Sequence, residues 1–312
     1  MSLAFVFPGQ GSQTVGMGRD LADAFPVARQ TFQEIDDALS QHLSRLMFEG
    51  APEELNLTEN TQPALMAVSL AVLRVLEEFG MKPLPQVAHY VAGHSLGEYS
   101  ALAAAQSLTL ADAARLLRVR GRAMQKAVPV GAGAMAALIG VELGEARAIA
   151  AEAAGVCATA NDNGGGQVVL SGEKSAVERA VEIAKTRGVK RAMMLPVSAP
   201  FHCPLMQPAA DVMAEALATV AVKPPRVPVV ANVLAQPVTD PAAIVRCLVE
   251  QVTNTVRWRE SVLFMAQAGV TSFYEVGAGR VLTGLIKRIA ETARVSSIGT
   301  PEDINRFKAE RA

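Results

Sequence analysis

Gly93-His94-Ser95-Leu96-Gly97 follows the apolar run His89-Tyr90-Val91-Ala92 and precedes the alanine-rich stretch Glu98 to Ala105. The five residues carry the G-x-S-x-G pattern of a nucleophile elbow, a tight turn that leads from a strand into a helix. A serine on such a turn holds a strained backbone, and the flanking glycines let neighbouring elements approach without Cβ clashes. The turn would lift the hydroxyl clear of the sheet and set a helix N-terminus beneath it, where backbone N–H groups can stabilise a developing oxyanion. An ordinary Gly-rich turn with a solvated serine carries the same pattern, and the five residues alone do not separate the two.

Working outward, Leu3–Phe7 reads as a first strand that ends in the turn Pro8-Gly9-Gln10-Gly11-Ser12-Gln13. Helical segments follow to about Gly80, then a strand over Val87–Ala92, the elbow and its helix, and a helix over Leu108–Lys126. Near Val128 the pattern changes. Ala134–Val141 reads as strand, Gly144–Ala154 as helix, Val156–Asn161 as strand, Asn163–Gly166 as turn and Gln167–Ser171 as strand. Ser175–Arg187 reads as helix and Lys190–Val197 as a last strand. The order βαββαβ is the ferredoxin-like pattern. It predicts a small subdomain over 128–197 inserted into a larger unit made of 1–127 and 198–312. Beyond it come a helix near Met206–Thr219, strands over Val229–Asn232 and Ser272–Val276, and a helix over Val281–Ala290. Strands alternating with helices predict an α/β fold with a mostly parallel core sheet.

The 312 residues are half hydrophobic, enough for a sizeable core. A net charge of −1 and 4% aromatics give no basic surface for nucleic acid or an anionic membrane. The N-terminus lacks a basic n-region and soon meets Pro8-Gly9, so it reads as a strand and not as a signal peptide. The apolar run Ala64–Leu76 is interrupted by Arg74 and is too short to span a bilayer. A cytoplasmic protein is expected. Cys157, Cys203 and Cys247 are odd in number and far apart, which suits neither a disulfide framework nor a metal site.

A serine nucleophile needs a base. Of the four histidines, His42 lies in a polar helical stretch, His89 begins a strand, and His94 adjoins Ser95 and should point away from it. His202 lies in the irregular segment Ser198-Ala199-Pro200-Phe201-His202, just past the expected insert, and is the best-placed candidate. On a helical wheel, Leu110, Ala113, Leu116, Leu117, Ala123 and Met124 form one apolar stripe, with Arg115, Arg118 and Arg122 on the other side. Arg120 falls inside the stripe. A buried guanidinium must be matched by an anion or by several acceptors. That partner is either an internal carboxylate or the carboxylate of a ligand, which arginine grips with two N–H groups. Gln10 and Gln13 lie in the turn after the first strand, at the edge where ligands of parallel sheets bind. An amide there is either solvated or a second oxyanion donor. Neither G-x-G-x-x-G nor a Walker pattern occurs, which sets nucleotide binding aside.

Phe7-Pro8-Gly9-Gln10-Gly11-Ser12-Gln13, Gln62-Pro63-Ala64, Gly93-His94-Ser95-Leu96-Gly97-Glu98, Arg120-Gly121-Arg122, Pro200-Phe201-His202 and Glu275-Val276-Gly277 occur in that order. In this set of motifs, over nearly the whole length to about Arg288, the chain closely resembles the bacterial malonyl-CoA:acyl carrier protein transacylases, the acyltransferases that load type II fatty acid synthesis. The resemblance implies an α/β-hydrolase-like core with a ferredoxin-like insert. It implies Ser95 as acyl-accepting nucleophile, His202 as its base, and Gln10 with the Leu96 N–H as oxyanion hole. Arg120 would hold the malonyl carboxylate, and the main-chain carbonyl of Gln251 would orient His202 in place of an aspartate. Asn161 and Asn163 match an asparagine pair near the family's site, Phe201 matches the residue before the histidine, and Gln62 and Met124 complete the candidate pocket. The implied partners are malonyl-CoA and acyl carrier protein, with coenzyme A thioester as substrate, no bound cofactor, no metal, and a monomeric state. Discrete acyltransferases of polyketide or malonate decarboxylase systems would share these motifs. A serine esterase would share Ser95 and His202 but has no use for Arg120, and a non-catalytic carrier-binding module would be expected to lack one of the pair.

Overall fold

The computed structural model describes residues 2–197 and 199–310. The expected boundary at Ser198, and the ends at Met1 and Ala312, lie outside the described residues. The strands are β1 (Leu3–Phe7), β2 (Tyr90–Gly93), β3 (Gly133–Ile139), β4 (Cys157–Gly164), β5 (Gln167–Glu173), β6 (Arg191–Met194), β7 (Val229–Ala231), β8 (Gln236–Val238), β9 (Ser272–Val276) and β10 (Arg294–Ile298). They form two sheets, in the orders β10-β9-β1-β2-β7-β8 and β4-β5-β3-β6. In the larger sheet every pair is parallel except the β7–β8 hairpin. The smaller sheet is antiparallel throughout. Two helices, Leu143–Glu152 and Lys174–Thr186, alternate with its strands in the expected βαββαβ order.

The central strand β1 is buried along its whole length, as its unbroken apolar run Leu3-Ala4-Phe5-Val6-Phe7 requires. Its last residue pairs with the last residue of β2, Phe7 with Gly93. The turn Pro8–Gln13 and the serine elbow therefore leave the sheet side by side, at the carboxyl ends of parallel strands. The glycines of the elbow are there for close approach. A Cβ on Gly93 would lie 1.9 Å from the Gly97 carbonyl group, and one on Gly97 would lie 2.3 Å from the Phe7 carbonyl oxygen. Between them Ser95 holds φ +54°, a left-handed conformation that a non-glycine residue seldom takes. The helix Gly97–Ala104 follows, buried on nearly all sides.

Several expectations need correction. The second strand starts at Tyr90, because Val87 closes a short helix, Leu84–Val87. The turn expected at Asn163–Gly166 is shorter, since β4 continues through Asn163 to Gly164. β8 and β10 escape a reading of hydrophobic pattern: Gln236-Pro237-Val238 carries a proline on an edge strand, and Arg294-Val295-Ser296-Ser297-Ile298 is half polar. Arg118 shares the polar side of its helix with Arg115 and Arg122, where solvation is expected, yet it is only 8% exposed. Its helix, Leu110–Lys126, crosses the start of the helix Thr58–Glu78 so closely that a Cβ on Gly121 would lie 2.5 Å from the Glu59 Cα. That crossing covers Arg118 and leaves it 3.9 Å from the Glu59 carboxylate. Arg115 and Arg122 remain exposed. No helix among the described residues is long and apolar enough to cross a membrane.

Candidate functional site

A cleft of about 810 Å³ lies between the two sheets, at the carboxyl ends of β1 and β2. Ser95, Leu96, Gln10, Gln62, Arg120, Met124, Asn161, Asn163, Phe201 and His202 all line it. Gln251, the remaining candidate, lies directly behind this wall and is fully buried.

Ser95 Oγ lies 2.8 Å from His202 Nε2. His202 Nδ1 lies 2.7 Å from the Gln251 carbonyl oxygen. A carbonyl only accepts, so Nδ1 carries the ring proton and Nε2 turns its lone pair to the serine hydroxyl. The histidine comes from the irregular segment after β6 and itself holds φ +58°, so both members of the pair sit on strained backbone. Burial pushes the His202 ring down to about 3, and the positive charge of Arg120 adds to that shift. The ring is thus neutral at neutral pH, with a lone pair free to accept a proton. No carboxylate is needed for that; the carbonyl fixes the tautomer.

The Leu96 N–H opens the elbow helix, and no acceptor among the described residues takes it. Gln10 is exposed at the mouth of the cleft. Gln13 is committed to structure, accepting from the Gly11 N–H at 2.7 Å and donating to Asn56 at 2.9 Å.

Arg120 is 1% exposed. One terminal nitrogen donates to Gln62 Oε1 at 2.8 Å, and the other donates to Gln251 Oε1 at 2.7 Å and to Ser95 Oγ at 3.1 Å. Its Nε has no partner among the described residues. Gln62 also donates to the Met124 sulfur at 3.7 Å. No carboxylate lies within ion-pairing distance of Arg120 among the described residues. Arg120 thus makes no direct ion pair with an internal carboxylate: its direct partners are amides and the serine hydroxyl.

Behind the pair lies a set of polar groups that the sequence reading missed. Asn232, at the end of β7, accepts from the Ser95 N–H at 2.7 Å and donates to the Gly93 carbonyl at 2.7 Å, clamping both sides of the elbow. Glu98, 2% exposed, accepts from the Asn232 N–H at 3.0 Å and from Gln251 Nε2 at 2.7 Å. A signal for Glu98 existed: it is the one charged residue in the helix Gly97–Ala104, which offers no polar face to solvent. Asn163 bonds His94 Nε2 at 2.9 Å, so His94 faces the small sheet and not the serine. Asn161 lies where β4 docks on the core. There the Asp162 N–H donates to the Val256 carbonyl at 2.9 Å, the Val256 N–H donates to the Ala160 carbonyl at 2.8 Å, and Asp162 pairs with Arg259 at 2.8 Å.

A mixed α/β protein with a serine–histidine pair at the carboxyl ends of its parallel strands is the class that this fold and site define. Residues 4–303 match the acyl transferase domain family. The chain belongs to that family. It is similar to the malonyl CoA-acyl carrier protein transacylase of Escherichia coli, with 50% identity over 301 residues, 96% of each chain. Among solved structures it superposes on the acyl-carrier-protein-S-malonyltransferase of Bartonella henselae with TM-score 0.97 and 54% identity, over 99% of each chain. It also superposes on a malonyl-transacylase in complex with a type II PKS acyl-carrier protein, with TM-score 0.96 and 45% identity, over 99% of this chain and 100% of that one.

Proposed function

We propose that this chain transfers the malonyl group of malonyl-CoA to the phosphopantetheine thiol of acyl carrier protein, through a malonyl ester on Ser95. The observation that carries the reading is Arg120, a buried guanidinium without a carboxylate that reaches to 3.1 Å from the serine hydroxyl. Ser95 Oγ attacks the thioester carbonyl and gives its proton to His202 Nε2. The Leu96 N–H and the Gln10 amide receive the oxyanion. The carbon–sulfur bond breaks, and coenzyme A leaves with the proton that His202 returns. The carrier's thiol then repeats these steps in reverse order on the ester, with His202 first base and then acid. Arg120 holds the distal carboxylate. Phe201, Asn161, Asn163, Gln62 and Met124 shape the wall around the acyl group.

The named activities of the relatives support this reading, as does the carrier protein bound to the last neighbour. That same neighbour favours a second reading, in which the carrier belongs to a polyketide system. The strand order of the small sheet, 2-3-1-4 in its own numbering, supports a ferredoxin-like insert over 128–197 on an α/β-hydrolase-like core of 1–127 and 198–312. A monomeric enzyme in a cytoplasmic setting, where its substrates are found, belongs to the same reading. The test is intact-mass measurement: malonyl-CoA should add one malonyl group, which holo acyl carrier protein should remove much faster than water does. Hydrolysis outpacing transfer would point to an esterase instead.

Three further outcomes are expected. His202→Ala should slow acylation roughly 10²–10⁴-fold, as loss of a general base does. At saturating acyl-CoA the rate should hold steady from pH 7 down to about 5, because a ring whose value lies near 3 takes up no proton in that range. A fall centred near 6.5 would show that His202 titrates as a free imidazole. Gln10→Ala should lower the transfer rate by about 1–4 kcal/mol in activation free energy with little change in malonyl-CoA binding. A change confined to binding would place Gln10 on the ground-state substrate.

A further inference from the structure

Arg120 and Glu98 are both buried, both charged in their ordinary states, and neither has an ion-pair partner among the described residues. A single side chain joins them. Gln251 Oε1 accepts from Arg120 at 2.7 Å, and Gln251 Nε2 donates to Glu98 at 2.7 Å. The amide cannot turn round, because an ionised carboxylate only accepts and a guanidinium only donates. The second Nε2 hydrogen is held as well, by the Ser95 carbonyl at 3.1 Å. A direct Arg120–Glu98 salt bridge would fill the fork that an incoming carboxylate needs. Separation by one amide balances the buried charge and leaves the fork open.

We propose that Glu98 is the counter-ion of Arg120 in the empty site, acting through Gln251, and that it takes up a proton when the acyl carboxylate arrives. This rests on the reading of Arg120 as the carboxylate fork. In the ionised form of Glu98 the buried charges before binding are +1 and −1. The ligand carboxylate adds a second negative charge, and like charges sharing one low-dielectric site raise each other's proton affinity. Glu98 is the group able to respond. Burial already pushes it up to about 7, against the pull of its bonds to Asn232 and Gln251 and of the Arg120 charge. The other titratable groups facing it stay neutral. Burial raises the Tyr99 hydroxyl on its own helix and the Cys247 thiol, up to about 11, on the helix Pro241–Thr253. His202 and His94 are both lowered. Linkage is reciprocal, so the protonated form of Glu98 must also be the form that grips malonyl more tightly. Glu98 is thus a positioning and specificity residue that touches no substrate atom.

The test follows proton uptake with an indicator dye in weak buffer while wild-type protein is mixed with malonyl-CoA or acetyl-CoA. The adduct is counted by intact mass in the same samples. Acylation of serine by a thioester is itself proton-neutral, since the serine proton ends on the coenzyme A thiol. Near pH 7 malonylation should consume roughly half a proton per adduct, because a group titrating at about 7 is then half ionised. Acetylation, which brings no carboxylate, should consume none. The apparent KM for malonyl-CoA should fall several-fold from pH 8 to pH 6, while that for acetyl-CoA stays level. Glu98→Gln, which cannot titrate, should abolish both the uptake and the pH dependence of KM. Malonyl adduct formed by wild-type protein without uptake would overturn the proposal, as would equal uptake with acetyl-CoA or in Glu98→Gln. Absence of any adduct would instead mark failure of the acyltransferase reading on which the proposal rests.

Discussion

Ser95→Ala protein mixed with malonyl-CoA is expected to keep its unmodified mass, and its transfer activity to fall to background. The serine is the group on the elbow whose oxygen lies within hydrogen-bond reach of both His202 and Arg120. Alanine offers no oxygen to acylate, and water in the vacated space would lack the covalent intermediate that divides the reaction into two easier steps. The fold should survive. What holds the elbow is main chain: the Ser95 N–H on Asn232, and the Ser95 carbonyl on Gln251. Neither bond involves the hydroxyl. An unchanged melting temperature with no adduct is the expected pair of results. A malonyl adduct on the folded variant would sink the assignment.

Arg120→Ala is expected to cut malonyl transfer steeply, by roughly 10²-fold or more, since bonds to charged groups are each worth about 1.5–3 kcal/mol. Acetyl transfer should change little or rise. An acetyl group in the wild-type site leaves the buried guanidinium fork with no carboxylate in direct contact, and the variant removes that penalty. Arg120→Lys should rescue only part of the malonyl activity, because a point charge does not reproduce a two-pronged grip. The measurement is both transfer rates beside the melting temperature. Parallel loss of both activities with a large drop in melting temperature would count against the substrate-carboxylate role and return Arg120 to architecture.

Much of this site is legible in the sequence because its chemistry coincides with local pattern. The elbow at Ser95 is written in two glycines four residues apart, and both prove to be required by contact distances. Arg120 betrays itself as a charge on an apolar stripe. The alternation of elements foretells a parallel core and a separate βαββαβ unit, though the fine boundaries shift by a few residues. What stays hidden is set by long-range contact. Nothing near Asn232 in the chain signals that its amide will brace an elbow 137 residues away. Arg118 looks solvated on its own helix and is covered only when a second helix crosses it. His202 rises above the other histidines by elimination, and its resting state depends on a carbonyl 49 residues further on.

The seam between β4 and the core bears on how this architecture can be recombined. Backbone bonds join Ala160 and Asp162 to Val256, the buried Asp162 pairs with Arg259, and Thr255 donates to the Thr159 carbonyl at 2.5 Å. Contact between the small sheet and the core is therefore made by an isolated parallel bridge of Asn161 with Val256, three residues beyond Thr253, where the helix bearing Gln251 ends. A foreign insert grafted between residues 127 and 198 would match the chain ends and still leave Arg259 facing an empty place. On the proposed insert bounds, the piece to move in a module exchange is discontinuous: 128–197 together with 254–259.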